Sequence, residues 1–273
     1  MKPFLFAKIS RYLLLVTCLL CSSPLWALRV VSLAPHTTEM VWAAGLGDAL
    51  IAVSDYSDYP DAVQKLERVA SGNSIKFERI LLLKPDLVVA SRETNPQREL
   101  EKLQKYGIQV VFVDPHSLET IPQDIERLAR YGSNPETGAR RAHEFRQKLA
   151  ALSVQFARAE KIPAALLFGV SPLMTTNGQS IQNDVLRVCG VENVFAGSRV
   201  AWPVVSREQI ISRQPRLLIT GTHQEGDDQE MHFWRQRTGY SVINLNPDWF
   251  NRSGPRILLA AEDLCKKIKE GHF

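Results

Sequence analysis

Cysteine is scarce in this chain: four residues in 273, two of them within the first 27. The remaining pair, Cys189 and Cys265, is too small a set for a structural zinc cluster. Histidine is also thin, and His36, His116, His143, His223, His232 and His272 show no close ligand spacing. No H-E-x-x-H run, phosphate loop or dinucleotide fingerprint occurs. "GVSPL" at 169–173 carries Leu173 where a nucleophile elbow needs glycine. After residue 27 no apolar run approaches the length a membrane-spanning helix requires. No Lys/Arg stripe offers itself to nucleic acid. The common enzyme signatures and the nucleic-acid class are therefore without support.

The first 27 residues are different in kind. Lys2, Lys8 and Arg11 precede the apolar "YLLLVTCLL", and "SSPLWA" ends on small Ala27. A basic head, an apolar centre and a small-residue exit read as a secretory signal peptide over residues 1–27. Its removal takes three basic groups from a formal charge of +4, leaving about +1. The basic balance thus belongs mostly to the leader. Export places Cys189 and Cys265 in an oxidising compartment, where a disulfide is favoured and two inert buried thiols are the alternative.

Beyond the leader, strands alternate with helices. "RVVSLAP", "LIAVSDY", "DLVVAS" and "IQVVFVDP" read as buried strands, and "TTEMVWAAGLG", "PQRELEKLQKYG" and "LETIPQDIERLARYG" as helices between them. "AALLFGV" and "SVINLNP" continue the pattern in the second half, with helices at "SIQNDVLRVCG", "DQEMHFWRQRTG" and "GPRILLAAEDLCKKIKEG". "FERILLLKPDLVVA" at 77–90 is echoed by "REQIISRQPRLLIT" at 207–220, with Glu78 and Glu208 each seven residues before a proline. "YGIQVVFVDP" likewise pairs with "TGYSVINLNP". The expected class is α/β: two Rossmann-like lobes with parallel sheets, joined by one long rigid α-helix. The lobes are expected at 28–133 and 161–273, with the helix at 134–160. A Ser133–Glu136 capping box or an Asn134 cap with Pro135 would start that helix. Phe145, Leu149, Leu152 and Phe156 form its apolar stripe.

Ligands of parallel α/β sheets bind beyond the carboxyl ends of the strands. Tyr56, Tyr59, Trp202, Trp249 and Phe250 all fall in loops there, with Phe168 near a strand end. Singly, each could anchor a loop. Together, facing an interlobe cleft, they point to a large, flat, partly apolar ligand. Asp248 and Arg252 read either as hydrogen-bonding groups for such a ligand or as an i,i+4 ion pair.

Four stretches carry a resemblance. "SDYSDYP", "SIQN.VL.VCG.EN.F", "SRV.WP.VSREQ" and "DWF.R..PRI.LA...LC" are similar to the periplasmic cobalamin-binding proteins of the BtuF family, over essentially the whole mature chain. The resemblance implies a periplasmic protein that captures cobalamin between its lobes and delivers it to an ABC importer of the inner membrane. Its partners would be cobalamin and the importer's membrane and ATPase subunits, met by a monomer. No catalytic residue, resident cofactor or metal is implied. By similarity, Tyr56, Phe168, Trp202 and the stretch Asp248, Trp249, Phe250, Asn251 and Arg252 would contact the ligand. Cys189 and Cys265 match the family's disulfide positions. Glu78 and Glu208 would each meet an arginine cluster on one membrane subunit; acids there also suit the helix dipole. The chain departs from the family at Gly72 and Ser91, where tryptophans can stand in the N-terminal lobe. A haem-, iron-chelate- or metal-binding protein of the same architecture is the nearest alternative, and an exported enzyme is more remote.

Overall fold

The computed structural model describes residues 27–72, 74–169, 171–222 and 232–271. The expected leader, apart from Ala27, lies outside them. The N-terminal lobe runs β1 (Val30–Ser32), α1 (Pro35–Ala43), β2 (Leu50–Ser54), β3 (Glu67–Ser71), β4 (Ser74–Ile75), α2 (Phe77–Leu83), β5 (Leu87–Ala90), α3 (Gln97–Lys105), β6 (Gln109–Phe112) and α4 (Thr120–Ala129). Its sheet has the order β4-β3-β2-β1-β5-β6, parallel except for the short β3–β4 pair. Successive side chains leave a strand on opposite faces. Val30, Val53 and Val89 therefore pack with Met40 of α1 and Ile125 of α4, while Val31, Ala52 and Val88 pack with Ile80 of α2 and Leu100 of α3. Both faces are covered, which is why these strands read as unbroken apolar runs.

The C-terminal lobe repeats the plan with β7 (Ile162–Leu167), α6 (Ile181–Val188), β8 (Val191–Asn193), α7 (Arg207–Ser212), β9 (Leu217–Thr220), β10 (Ser241–Asn244), α8 (Pro247–Phe250) and α9 (Ile257–Lys269). Its described strands form a parallel sheet in the order β10-β9-β7-β8. The helix expected at 228–239 falls partly outside the described residues; its visible end is a π-helical turn, Trp234–Thr238, stopped by Gly239 at φ 72°. The internal echo is structural. Ile80 and Ile210 are both fully buried, and Lys84 (φ 45°) and Gln214 (φ 49°) both turn left-handed just before a proline. A disulfide joins Cys189, at the end of α6, to Cys265 in α9.

The lobes are linked by α5 (Pro135–Gln155), 21 residues and about 31 Å long. It is shorter than the 134–160 expected. The helix stops where Phe156, its C-cap, turns into the core at 9% exposure. At the other end Asn134 occupies the N-cap position, its side chain making no capping hydrogen bond, and Pro135 occupies the first turn, so neither expected side-chain cap forms. Arg146 of α5 grips both oxygens of Glu126 on α4, at 2.6 and 2.9 Å. Gly138 permits close approach of these helices, since a Cβ there would come within 2.4 Å of Ala129 Cβ. A single apolar cluster runs from the N-terminal lobe through α4 and α5 to α6 and α9. That continuity makes the connector stiff and holds the lobes at a set separation.

Candidate functional site

The carboxyl ends of both sheets face one cleft of about 850 Å³. His36, Glu93, Asp114 and His116 line it from the N-terminal lobe, and Thr176, Gln179, Trp202 and Asn251 from the other. A second cavity of about 630 Å³ lies against α5, walled by Trp42, Tyr59, Phe145 and Leu258. Tyr59 aside, it is walled chiefly by residues of α1, α5 and α9 rather than by strand-end loops, so the first cleft is the candidate site.

The loop after β2 is pinned from below by hydroxyls. Ser57 Oγ lies 2.9 Å from both Thr38 Oγ1 and Ser54 Oγ, and Thr38 donates in turn to Ser32. Arg68 donates to the carbonyls of Ser54 and Ser57, each at 2.8 Å. Buried polar groups are costly unless paired, so this closed set fixes one loop conformation. It holds Tyr56 at φ 61° with 79% of its surface exposed. Tyr59, three residues on, points elsewhere: the Arg256 guanidinium covers its ring at 4.4 Å.

On the opposite lobe, backbone bonds from Thr175 to Pro203 and from Asn177 to Ala201 hold the loop bearing Trp202. Asn193 and Asn183 brace that loop from the core by donating to the Thr176 and Asn177 carbonyls. The Trp202 ring is half exposed and meets Phe168 edge-on, with centroids 5.2 Å apart. Phe168 stacks in parallel on Phe250 at 6.0 Å.

The Asp248–Arg252 stretch divides. Asn251 lines the cleft and donates to the Gly221 carbonyl at 2.9 Å. Trp249 is partly buried against the core. Phe250 was expected to contact ligand, but its side chain is fully buried beneath Phe168, because α8 turns that face of the helix into the apolar interior. It supports the aromatic surface instead of forming it. Arg252 and Asp248 form the ion pair, at 2.7 Å.

Arg252 also makes a contact that the sequence pattern did not disclose. Its two terminal nitrogens meet the two oxygens of Asp58 in the other lobe, at 2.6 and 3.1 Å. Behind this pair, Arg256 donates to Glu39 at 2.7 Å. Glu39 is only 3% exposed, and burial pushes its carboxyl above the ordinary range although Arg256 and Arg252 pull it back. Asp58 is held below its ordinary value chiefly by the Arg252 hydrogen bond. Elsewhere the Leu118 N–H donates to Asp184 of α6 at 2.9 Å, a second link between lobes. In the cleft wall, burial lowers the His36 imidazole, partly offset by the Val113 carbonyl and Asp114.

Ser91 and Gly72 are the two positions at which the chain was expected to depart from its resemblance. Ser91 is buried and shapes a turn, its Oγ accepting from the Glu93 and Thr94 amides. Gly72 is left-handed, at φ 45°, with open space where a side chain would project. Glu78 and Glu208 lie in the first turns of α2 and α7, one per lobe. Among the described residues no group of three potential metal ligands converges, and no helix is long and apolar enough to cross a membrane.

Residues 30–251 match the periplasmic binding protein family. The vitamin B12-binding protein of Photorhabdus laumondii is 49% identical over 89% of this chain and 88% of its own length. The crystal structure of the periplasmic vitamin B12-binding protein BtuF of Vibrio cholerae superposes with a TM-score of 0.81 at 42% identity, covering 88% of this chain and 96% of that one. The periplasmic heme-binding protein RhuT of Roseiflexus superposes with a TM-score of 0.78 at 22% identity over 90% of this chain and all of its own, a likeness of fold. A two-lobed frame, a stiff connecting helix and identity sustained across both lobes place the chain together: it belongs to the periplasmic binding proteins, among the vitamin B12-binding proteins of the BtuF family.

Proposed function

We propose that this chain binds cobalamin in its interlobe cleft and hands it to an ABC importer. The observation that carries the reading is the aromatic surface of Trp202 on Phe168 at the edge of a cleft of about 850 Å³ in which polar side chains are numerous. A corrin ring is broad and apolar on its faces and fringed with amides. Aromatic faces cover the first, while Asn251, Gln179 and backbone groups meet the second. Tyr56 from the other lobe supplies a further exposed aromatic face, and Arg252 with Asp248 the charged edge. Gly72 and Ser91 leave the N-terminal wall with less aromatic area.

The protein acts as a transport component without chemistry of its own, after cleavage of the leader beyond Ala27. Glu78 and Glu208 are the docking groups for the two membrane subunits. They occupy the same position of a repeated unit, as a partner built from two similar halves requires.

The deciding experiment is an ultraviolet–visible spectrum of purified protein incubated with cyanocobalamin and desalted. Retention of one corrinoid per chain is expected. Loss of the corrinoid, with retention of haem in a parallel sample, would replace this reading. Intact mass of the exported protein should correspond to a chain starting at Leu28.

A further inference from the structure

Beside the cleft, whose lining includes Asn251 and Ser253 on either side of Arg252, lies a charge cluster that neither lobe holds alone. Arg252 and Arg256 belong to the C-terminal lobe, Glu39 and Asp58 to the other, 194 to 217 residues away along the chain. Asp58 takes the Arg252 guanidinium with both oxygens, and Asp248 takes it from the side at 2.7 Å. Three of the five N–H donors of Arg252 are thus directed by carboxylates. The guanidinium and its two partners are unequal in burial: the Arg252 side chain is 14% exposed, that of Asp248 27% and that of Asp58 45%. The arginine is held in place by a carboxylate that itself sits near water.

The rear of the cluster is more enclosed. Glu39 is nearly buried, Arg256 bridges it, and Gly254 closes over its second oxygen, where a Cβ would come within 2.9 Å. Arg256 also lies on Tyr59, which follows Asp58 in the same pinned loop. The hydroxyl set beneath Ser57 fixes that loop, and the loop fixes Asp58. The chain of contacts runs from the N-terminal core to the Arg252 side chain in the other lobe.

We propose that Asp58 is a positioning residue for ligand recognition: it orients Arg252 beside the cleft, with Glu39 and Arg256 setting the alignment of the lobes behind it. This rests on the reading of Arg252 as a cobalamin contact. An arginine on an unpinned stem loses rotamer freedom when it meets a ligand. One already clamped across the lobes presents its remaining donors in a single geometry, so recognition by the C-terminal lobe depends on a carboxylate of the N-terminal one.

The test is a calorimetric cycle with cyanocobalamin as the probe, using wild type, Asp58→Asn, Arg252→Gln, the double variant and Asp58→Glu. Binding by the wild type first establishes the parent reading; its absence removes that reading and the inference together. Given binding, Asp58→Asn should weaken affinity about tenfold, on the scale of coupled neighbours. The double variant should bind no more weakly than Arg252→Gln alone, because Asp58 acts through Arg252. Asp58→Glu, which retains two oxygens and the charge, should recover much of the loss. Melting temperatures should stay close to wild type, given the exposure of Asp58. The proposal is overturned if Asp58→Asn binds like wild type, if the two losses simply add, or if Asp58→Asn fails to fold.

Discussion

The rings of Phe168 and Phe250 lie 6° from parallel with centroids 6.0 Å apart, one partly exposed and the other fully buried. The buried ring therefore sets the height and tilt of the one above, which in turn supports Trp202. Phe250→Ala should cost about 3–5 kcal/mol of stability as a large core truncation. Phe168→Ala should cost less stability but should free Trp202 from its edge contact and weaken cobalamin binding. Thermal melts paired with calorimetry separate the two effects.

Trp202 and Tyr56 supply exposed aromatic area from opposite lobes, at 48% and 79% exposure. Each change to alanine should reduce cobalamin affinity by about 1–3 kcal/mol, from the apolar area a covered ring removes from water. Neither should shift the melting temperature much. A large drop in melting temperature would instead make these residues structural.

The bridge between Cys189 and Cys265 closes a separation of 76 residues. The chain-entropy relation puts its contribution at about 4–5 kcal/mol. Dithiothreitol, or the Cys189→Ser with Cys265→Ser variant, should lower the denaturant midpoint accordingly. Alkylation of the unreduced protein should label neither residue.

Acid should weaken the contact between the lobes. The carboxyl of Asp58 is depressed below its ordinary 3.8 by the Arg252 hydrogen bond. Its stabilisation is fully present above the unfolded value and is lost as pH falls through the folded one. Glu39 runs the other way: burial raises it above 4.5, so its contribution fades as pH climbs through that raised value. Both carboxyls face Arg252 and Arg256, with Asp248 alongside. Urea midpoints taken across the acid range should fall more steeply for wild type than for Asp58→Asn below about pH 4.

Glu78 and Glu208 should matter to the importer rather than to the fold. The Glu208 carboxyl is lowered by its hydrogen bond with Ser206, whose reciprocal pair with Gln209 caps α7. Capping therefore survives loss of the glutamate, since Ser206 and Gln209 supply it. Glu78→Arg combined with Glu208→Arg should leave cobalamin affinity and melting temperature nearly unchanged, and should abolish stimulated uptake in reconstituted vesicles. Normal transport by the double variant would refute docking; a marked loss of stability would make the pair structural.

Local patterns by themselves determined much of this protein. Alternating apolar runs and glycine stops specified two α/β lobes, because period and turn chemistry act within a few residues. The repeated unit announced itself through Ile80 and Ile210, through the prolines, and through the glutamates. The aromatic loops were legible because a core has no need of Trp202 or Tyr56 beyond a strand end, and the cysteine pair because just two cysteines follow residue 27. Only the tertiary structure decided the rest. Glu39 looks like one acid on a helix until α9 brings Arg256 over it, and Asp58 is one of two aspartates in "SDYSDYP" until Arg252 reaches it from the other lobe. Phe250 and Trp249 adjoin in sequence, yet the rotation of one short helix sends Phe250 into the core beneath Phe168. Helix α5 stops at Gln155 because burying Phe156 there outweighs another turn in water. Pairings across some two hundred residues depend on how the lobes are set against each other, and no period within one segment encodes that angle.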